Sequence, residues 1–120
     1  MIGVNINDDL QPFTDLILSG KKTIETRNKN TLKSLVGQSV GLIKTEKNKQ
    51  AMLVGIVLFH PPKVYKTKSE FRKDKNKHRI KNDSKYDFNQ TIKYGYRISV
   101  VFKFKYPQPI HSKGIVFRQI

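Results

Sequence analysis

Eight residues near the N-terminus, Gly20 to Arg27, combine charged and hydroxyl side chains at a spacing that could support chemistry. Glu25 is one of only three glutamates in a chain that carries 24 lysines and arginines. On a strand, successive side chains point to opposite faces. We therefore expect Thr23, Glu25 and Arg27 to share one face of a strand over 22–27, with Lys22 at its edge on the other face.

Three roles are open for this stretch on its residues alone. An ionised carboxylate can accept a hydrogen bond from an exocyclic amine of a base, such as cytosine N4. A lysine beside a carboxylate in a partly desolvated pocket can act as a base or a nucleophile. An ion pair that fixes the strand to the preceding helix would do neither. Lys22 and Glu25 are therefore the candidate catalytic residues, with a structural ion pair as the alternative.

The charge of the chain points to a polyanionic partner. The net charge is +15, and a domain this basic attracts polyanions, of which nucleic acid is the commonest. The excess is mostly lysine, with 19 lysines and five arginines. Arginine dominates specific base contacts, so a lysine-rich surface favours attraction to phosphates with little reading of sequence.

Several classes of protein are disfavoured by composition. With 120 residues the chain is long enough for one domain and too short for two. It has no cysteine, which excludes disulfides, thiolate zinc sites and thiol nucleophiles and fits a cytoplasmic location. No apolar run approaches the ~20 residues of a transmembrane helix, so we expect no membrane association.

The elements that must position these residues are mostly short strands. Alternating or continuous apolar patterns predict six strands, at 1–7, 22–27, 39–44, 51–59, 97–106 and 115–118. Short helices are predicted before Gly20, around 31–36, and after Thr67, which with Glu70 forms a capping-box pattern. The prediction is an α+β fold that is mainly β: a small barrel of about six strands with two or three short helices.

One stretch departs from this pattern of short strands. Residues 72 to 85 are dense in lysine and arginine, with two aspartates and a single apolar residue, Ile80. We expect residues 72–92 to form an exposed, flexible basic loop within the single domain 1–120. The three histidines, His60, His78 and His111, show no ligand spacing. We expect them at surface or loop positions, and we expect no metal or cofactor.

Aromatic residues suggest how a base could be held. Tyr94 and Tyr96 flank a turn glycine, and together with Tyr65 they are candidates for stacking on bases. The predicted ligand-binding residues are Lys21, Lys22, Thr23, Glu25, Arg27, Tyr94 and Tyr96. In the strand 97–106, the side chains of Ile98, Val100, Phe102, Phe104 and Tyr106 are expected to share one face.

The pattern Gly20-x-Lys22-x-x-Glu25-x-Arg27 resembles the signature of the ASCH domain, a family of PUA-like β-barrels. The resemblance extends to Gln11-Pro12-Phe13, which opens the preceding helix, and to Gly37-Gln38-Ser39-Val40, which enters the next strand. Tyr94-Gly95-Tyr96, Pro109-Ile110 and Lys113-Gly114 are similar to the C-terminal end of the family. Residues 60 to 92 are the least typical part.

This resemblance implies a PUA-like barrel with the signature at the rim of a cleft between the first helix and the sheet. It implies RNA binding, and an alternative activity as a hydrolase of a modified nucleoside or of RNA. ASCH amidohydrolases that act on N4-acetylcytidine use a threonine, a lysine and a glutamate. Lys22 falls on their lysine, but Glu25 stands where their threonine is, and Glu70 is only a candidate for their glutamate. The expected function is therefore a nucleic-acid-binding module, with RNA as the expected partner.

Overall fold

The computed structural model describes residues 1–114 and 116–120. In this part the chain is an α+β fold dominated by strands, with six strands and three short helices, as predicted. The elements are β1 (Ile2–Asn7), α1 (Phe13–Leu18), β2 (Ile24–Arg27), β3 (Ser39–Thr45), β4 (Met52–Tyr65), α2 (Lys68–Lys73), α3 (Lys75–His78), β5 (Lys93–Pro109) and β6 (Phe117–Gln119). A 3-10 turn at Lys33–Leu35 precedes β3.

The strands form a single mixed sheet in the order β2-β5-β4-β3-β1-β6. Neighbouring strands are antiparallel except β1 and β3, which are parallel. Among the described residues β2 and β6 are the edges and do not pair with each other, so the sheet is open where the resemblance implied a closed barrel. The last strand was predicted over 115–118; position 115 lies outside the described residues, and β6 begins at Phe117.

Helix α1 is shorter than the apolar pattern predicted and packs on the sheet. Phe13 and Ile17 are buried, whereas Leu10, which belonged to the predicted stripe, lies before the helix and is 54% exposed. The carboxylate of Asp8 accepts a hydrogen bond from the Thr14 N–H at 3.1 Å and satisfies one donor at the start of the helix. Gly20 follows with a φ of +81°, which a glycine adopts without strain.

Strand β4 continues beyond the two prolines that were predicted to end it. It runs to Tyr65, and its pairing with β5 shifts register between Phe59 and Pro62. A proline has no N–H to donate to a sheet, so it is tolerated in a strand at such an irregularity. The extra length matters because it carries the chain to α2 and so places the basic segment.

The basic segment 72–92 is partly helical and partly buried, which differs from the exposed loop that was predicted. The predicted cap is confirmed: Thr67 Oγ1 accepts a hydrogen bond from the Glu70 N–H at 3.1 Å, and α2 follows. His78, Ile80 and Phe88 are buried. These three side chains pack the segment against the domain, while its lysines stay exposed.

The hydrophobic core lies between the sheet and the helices. It includes side chains from β1, β3, β4 and β5, from α1 and α2, and from the segment that follows α3. A smaller cluster contains Ile43 of β3, Leu53 of β4, and Ala51, which directly precedes β4. None of the helices in the described part of the chain is both long and apolar enough to cross a membrane.

Candidate ligand-binding cleft

The start of β2 decides where Lys22 points. The strand begins at Ile24, and the preceding backbone bonds elsewhere: the Lys22 N–H donates to Leu16 O at 2.9 Å, and the Thr23 N–H to Lys77 O at 2.8 Å. Lys22 therefore lies outside β2, and the strand alternation that was predicted to place it on the opposite face from Glu25 does not apply to it. Its Nζ lies 3.5 Å from Glu25 Oε1, so the two candidate catalytic groups are brought together.

Lys22 is a buried cation with a defined set of partners. Its side chain is 1% exposed, and its Nζ donates a hydrogen bond to the backbone oxygen of His78 at 2.7 Å. The same nitrogen lies 4.8 Å from the centre of the Phe13 ring, a cation–π distance. Burial lowers the pKa of Lys22, and the charge of Glu25 opposes that shift without cancelling it.

Glu25 and Arg27 form the second half of the cluster. Arg27 Nη2 lies 3.1 Å from Glu25 Oε2 and donates to Asn5 O of β1 at 2.9 Å. That bond connects β2 to β1, which are not neighbours in the sheet. Arg27 Nε is buried and has no hydrogen-bond partner among the described residues, so the guanidinium keeps one donor unused there. An unpaired buried donor is costly, and a ligand oxygen is one way to satisfy it.

A cleft of about 430 Å³ opens beside this cluster. Five of the side chains that line it are cationic and one is a carboxylate, Glu25. The cations are Lys22, Arg27, Lys85, Lys93 and Arg118. The volume lies in the range of small-molecule and cofactor sites, about 300–1,000 Å³. The balance of charge favours a ligand that carries negative charge or several hydrogen-bond acceptors.

Lys93 and Arg118 are held in the cleft wall by amide side chains. Lys93 is 5% exposed and donates to Asn28 Oδ1 at 2.8 Å, and burial lowers its pKa. Arg118 Nε donates to Asn5 Oδ1 at 2.9 Å. Because an amide oxygen is neutral, these bonds fix the two cations without neutralising them, and their charge remains available to a ligand.

The basic segment supplies one wall of the cleft through Ile80, Lys85 and Tyr86. The Tyr86 ring contacts the Phe13 ring edge to face, with 5.9 Å between the ring centres. Burial raises the pKa of the Tyr86 hydroxyl, which is therefore protonated at neutral pH and can donate a hydrogen bond. Phe13 and Tyr86 give the cleft an aromatic surface.

Asp87 holds Tyr86 in place from the next position. Its carboxylate accepts hydrogen bonds from Arg72 Nη2 at 2.6 Å and from the backbone N–H groups of Asp83 and Phe88. Burial raises the pKa of Asp87, but these hydrogen bonds outweigh it and lower the pKa to about 2. The segment around Tyr86 is thus fixed to α2 at neutral pH.

His78 anchors the same segment beneath Lys22. Its ring stacks on Phe71 with 4.1 Å between centres; Nδ1 accepts from the Ile80 N–H at 3.0 Å and Nε2 lies 2.7 Å from Phe71 O. This pairing assigns the neutral ring with the proton on Nε2. Burial lowers the pKa of His78, consistent with a neutral ring. The expectation of a surface or loop position was therefore wrong for His78.

The predicted binding residues divide into two groups. Lys22, Glu25 and Arg27 line the cleft, whereas Lys21 is exposed outside it and Thr23 is half-buried outside it. The prediction missed Lys85, Tyr86, Lys93 and Arg118. Tyr86 had a signal in the sequence, since it is the one tyrosine inside the lysine-rich segment. Arg118 had none, because only the pairing of β6 with β1 brings it to the cleft.

The tyrosines predicted to stack on bases do not reach the cleft. Tyr96 is fully buried, and its hydroxyl donates to Asn30 Oδ1, so it is a core residue and not a stacking platform. Tyr65 is also fully buried and donates to Asp74 Oδ2 at 2.5 Å. Tyr94 is half-buried against the core. Gly95 is required between them, since a Cβ there would lie 2.6 Å from the Tyr65 ring.

No protein-family model matches the chain, and no curated protein matches it.

Proposed function

We propose that this protein binds single-stranded nucleic acid in the cytoplasm, with RNA as the expected partner, by holding one nucleotide in the cleft beside Glu25 and Arg27. The observation that carries the proposal is the cleft wall, where five cations surround one carboxylate. Basic side chains attract the phosphates of any nucleic acid, and the net charge of +15 supplies the long-range field. The resemblance of residues 20–27 to the ASCH signature supports the same proposal.

The cleft offers separate groups for phosphate and for base. Arg118 and Lys85 are cations with no carboxylate partner among the described residues, which suits them to phosphate oxygens. Arg27 Nε is a buried donor without a partner in the part of the chain that the structure describes, and Glu25 is an acceptor for a base amine. The Tyr86 and Phe13 rings provide an aromatic surface, on which stacking contributes ~1–3 kcal/mol per base.

The test is a binding titration with a fluorescein-labelled 12-nucleotide RNA at several salt concentrations. Lys85→Ala removes an exposed cation at the cleft, and Lys47→Ala removes an exposed cation in the turn after β3. We expect Lys85→Ala to weaken binding several-fold and to reduce the slope of log K against log salt by about 1. Lys47→Ala should change both less. Absence of binding to RNA and DNA at low salt, or equal effects of the two variants, would refute the proposal.

A hydrolase is the second candidate, and the geometry of Lys22 favours it. The Nζ lies 3.5 Å from Glu25 beside the cleft, and burial lowers its pKa, so more of the amine is neutral and able to accept a proton from water. Glu25 occupies the position of the threonine of ASCH amidohydrolases, which counts against that particular chemistry. Release of acetate from N4-acetylcytidine, measured by NMR and lost in Lys22→Ala with an unchanged circular dichroism spectrum, would establish this activity; no release, together with no cleavage of the 12-nucleotide RNA, would exclude the hydrolase.

A further inference from the structure

The outer part of β5, Ser99 to Tyr106, is a free edge of the sheet. Strand β2 pairs with β5 only along Tyr94–Arg97, and the last backbone bond between them runs from the Ile98 N–H to Thr23 O at 2.8 Å. In the residues that the structure describes, no strand pairs with β5 beyond that point on the β2 side. A strand edge presents a row of N–H and C=O groups that can pair with another chain.

This edge is also apolar and exposed. Val100, Val101, Phe102 and Tyr106 are 41%, 56%, 50% and 75% exposed, respectively. They account for four of the nine large hydrophobic residues that the described chain exposes, and they fall within seven consecutive positions. Scattered exposed apolar residues need no explanation, but a contiguous patch typically marks an interaction surface.

The charged side chains of β5 along and beside this edge are all cationic. Lys103 and Lys105 alternate with the aromatic residues, and Arg97 precedes them. Asp87 is the last acidic residue of the chain, so the 33 residues that follow it carry no carboxylate side chain. Cationic edge residues oppose pairing with a second copy of the same strand, because like charges on neighbouring strands are destabilising. They attract a strand that carries carboxylates.

We propose that the edge Ser99–Tyr106 binds an extended peptide segment of a partner protein in which acidic residues alternate with apolar ones. The peptide adds a seventh strand beside β5: its backbone fills the free hydrogen-bonding groups, its apolar side chains lie on the face of Phe102 and Phe104, and its carboxylates meet Lys103 and Lys105 on the other face. Strand addition of this kind takes affinity from backbone pairing and specificity from alternate side chains. Nucleic acid fits less well, since Val100 and Val101 have no aromatic face and a base leaves the edge groups unpaired.

The test uses a fluorescein-labelled probe peptide of four Glu-Val repeats, with four Lys-Val repeats as its control. We expect the acidic probe to bind at least about tenfold more tightly than the basic one and to shift the backbone amide NMR signals of Ser99–Tyr106 while leaving those of the cleft unchanged. The double variant Lys103→Glu/Lys105→Glu should weaken binding of the acidic probe about tenfold. The charge-matched control Lys47→Glu/Lys66→Glu should change it less than about twofold.

Each other outcome would overturn the proposal. Equal binding of both probes, no binding, or amide shifts outside the edge would show that the edge does not select an acidic strand. A dimer in sedimentation that Val101→Glu dissociates would make a second copy the occupant. Shifts of the Ser99–Tyr106 signals on addition of the 12-nucleotide RNA, with loss of RNA affinity in Phe102→Ala, would make the edge a nucleic-acid surface.

Discussion

The two halves of β5 carry similar side chains, but those of the first half are buried and those of the second half are exposed. In the first half, Tyr96 is fully buried and Ile98 is 9% exposed. In the second half, Phe102 and Tyr106 are 50% and 75% exposed. The pairing with β4 shifts register after Val100, so Phe102 lies opposite Ile56 and on the other face from Ile98; the prediction that Ile98, Val100, Phe102, Phe104 and Tyr106 share one face was therefore wrong. Both halves pair with β4, but only the first pairs with β2 as well.

The difference shows that the burial of a side chain in this sheet depends on which strand or helix packs beside it. Strand β2 has four residues and covers only the first half of β5, where the basic segment and the 3-10 turn also pack. Beyond Ile98 the chain of β2 has already turned away into α1, because Gly20 reverses its direction. Alternation in sequence shows which side chains share a face only while the pairing register is unbroken, and a second layer must then exist to bury that face.

The comparison predicts its largest contrast between two tyrosines on the same strand. Tyr96→Ala removes a fully buried ring and its hydrogen bond to Asn30, and it should cost about 3–5 kcal/mol of unfolding free energy. Tyr106→Ala removes an exposed ring and should change stability by less than about 0.5 kcal/mol. Urea unfolding followed by circular dichroism measures both. Similar midpoints for the two variants would show that β5 is not divided as described.

A smaller contrast between the cleft and the outer half of β5 is expected in how the unfolding free energy depends on pH. The pKa of folded Lys22 lies below its ordinary value of 10.5, chiefly because of burial. Between those two pKa values the unfolded chain holds a proton that the folded chain has released, so this lysine makes stability rise as pH rises. Lys22→Met should remove that rise, measured as the difference between urea-unfolding free energies of variant and wild type from pH 7 to 10.5.

The control for that measurement is Lys105→Met on the exposed half of β5. Its side chain lies in solvent, so the difference from wild type should stay constant over the same pH range. If both variants gave flat differences, Lys22 would not be a desolvated cation, and the argument for a hydrolase would lose its support.

The smallest expected effect lies at the proposed peptide edge. Phe102→Ser replaces a half-exposed ring that lies edge to face with the neighbouring Phe104 ring, at 5.5 Å between centres. We expect a loss of no more than about 1 kcal/mol in unfolding free energy, because the area already in water does not contribute. The same variant should nevertheless weaken binding of the Glu-Val probe. A large loss of stability would assign Phe102 to the core and not to a docking surface.

Much of the fold was predictable because its signals are local. The strands β1 and β3 follow apolar alternation, Gly20 ends α1, and the Thr67–Glu70 cap starts α2, each decided within a few residues. The open sheet was not predictable in this way. Whether an edge strand closes onto the opposite edge depends on the lengths of strands far apart in the chain, here β2 and β6.

Only the part of the site that lies in residues 22–27 was predictable from the sequence. Lys22, Glu25 and Arg27 lie within six residues of one another, so their proximity follows from the local chain. Lys85, Lys93 and Arg118 come from three other parts of the sequence and reach the cleft through the basic segment, β5 and β6. Tyr96 failed as a predicted stacking residue for the converse reason, since a tyrosine beside a glycine does not reveal whether another layer covers it.

Composition and short-range spacing are properties of the chain before it folds, and they established the charge, the strand-rich class and the closeness of Lys22, Glu25 and Arg27 along the chain. The tertiary structure alone decided that Lys22 turns toward Glu25, that Tyr86 and Arg118 join them, and that half of β5 stays uncovered. Each of these depends on a backbone bond or a strand pairing between distant residues: the Thr23 N–H with Lys77 O, β6 with β1, and the early end of β2. Such pairings are settled by the packing of the whole domain, which no short stretch of sequence contains.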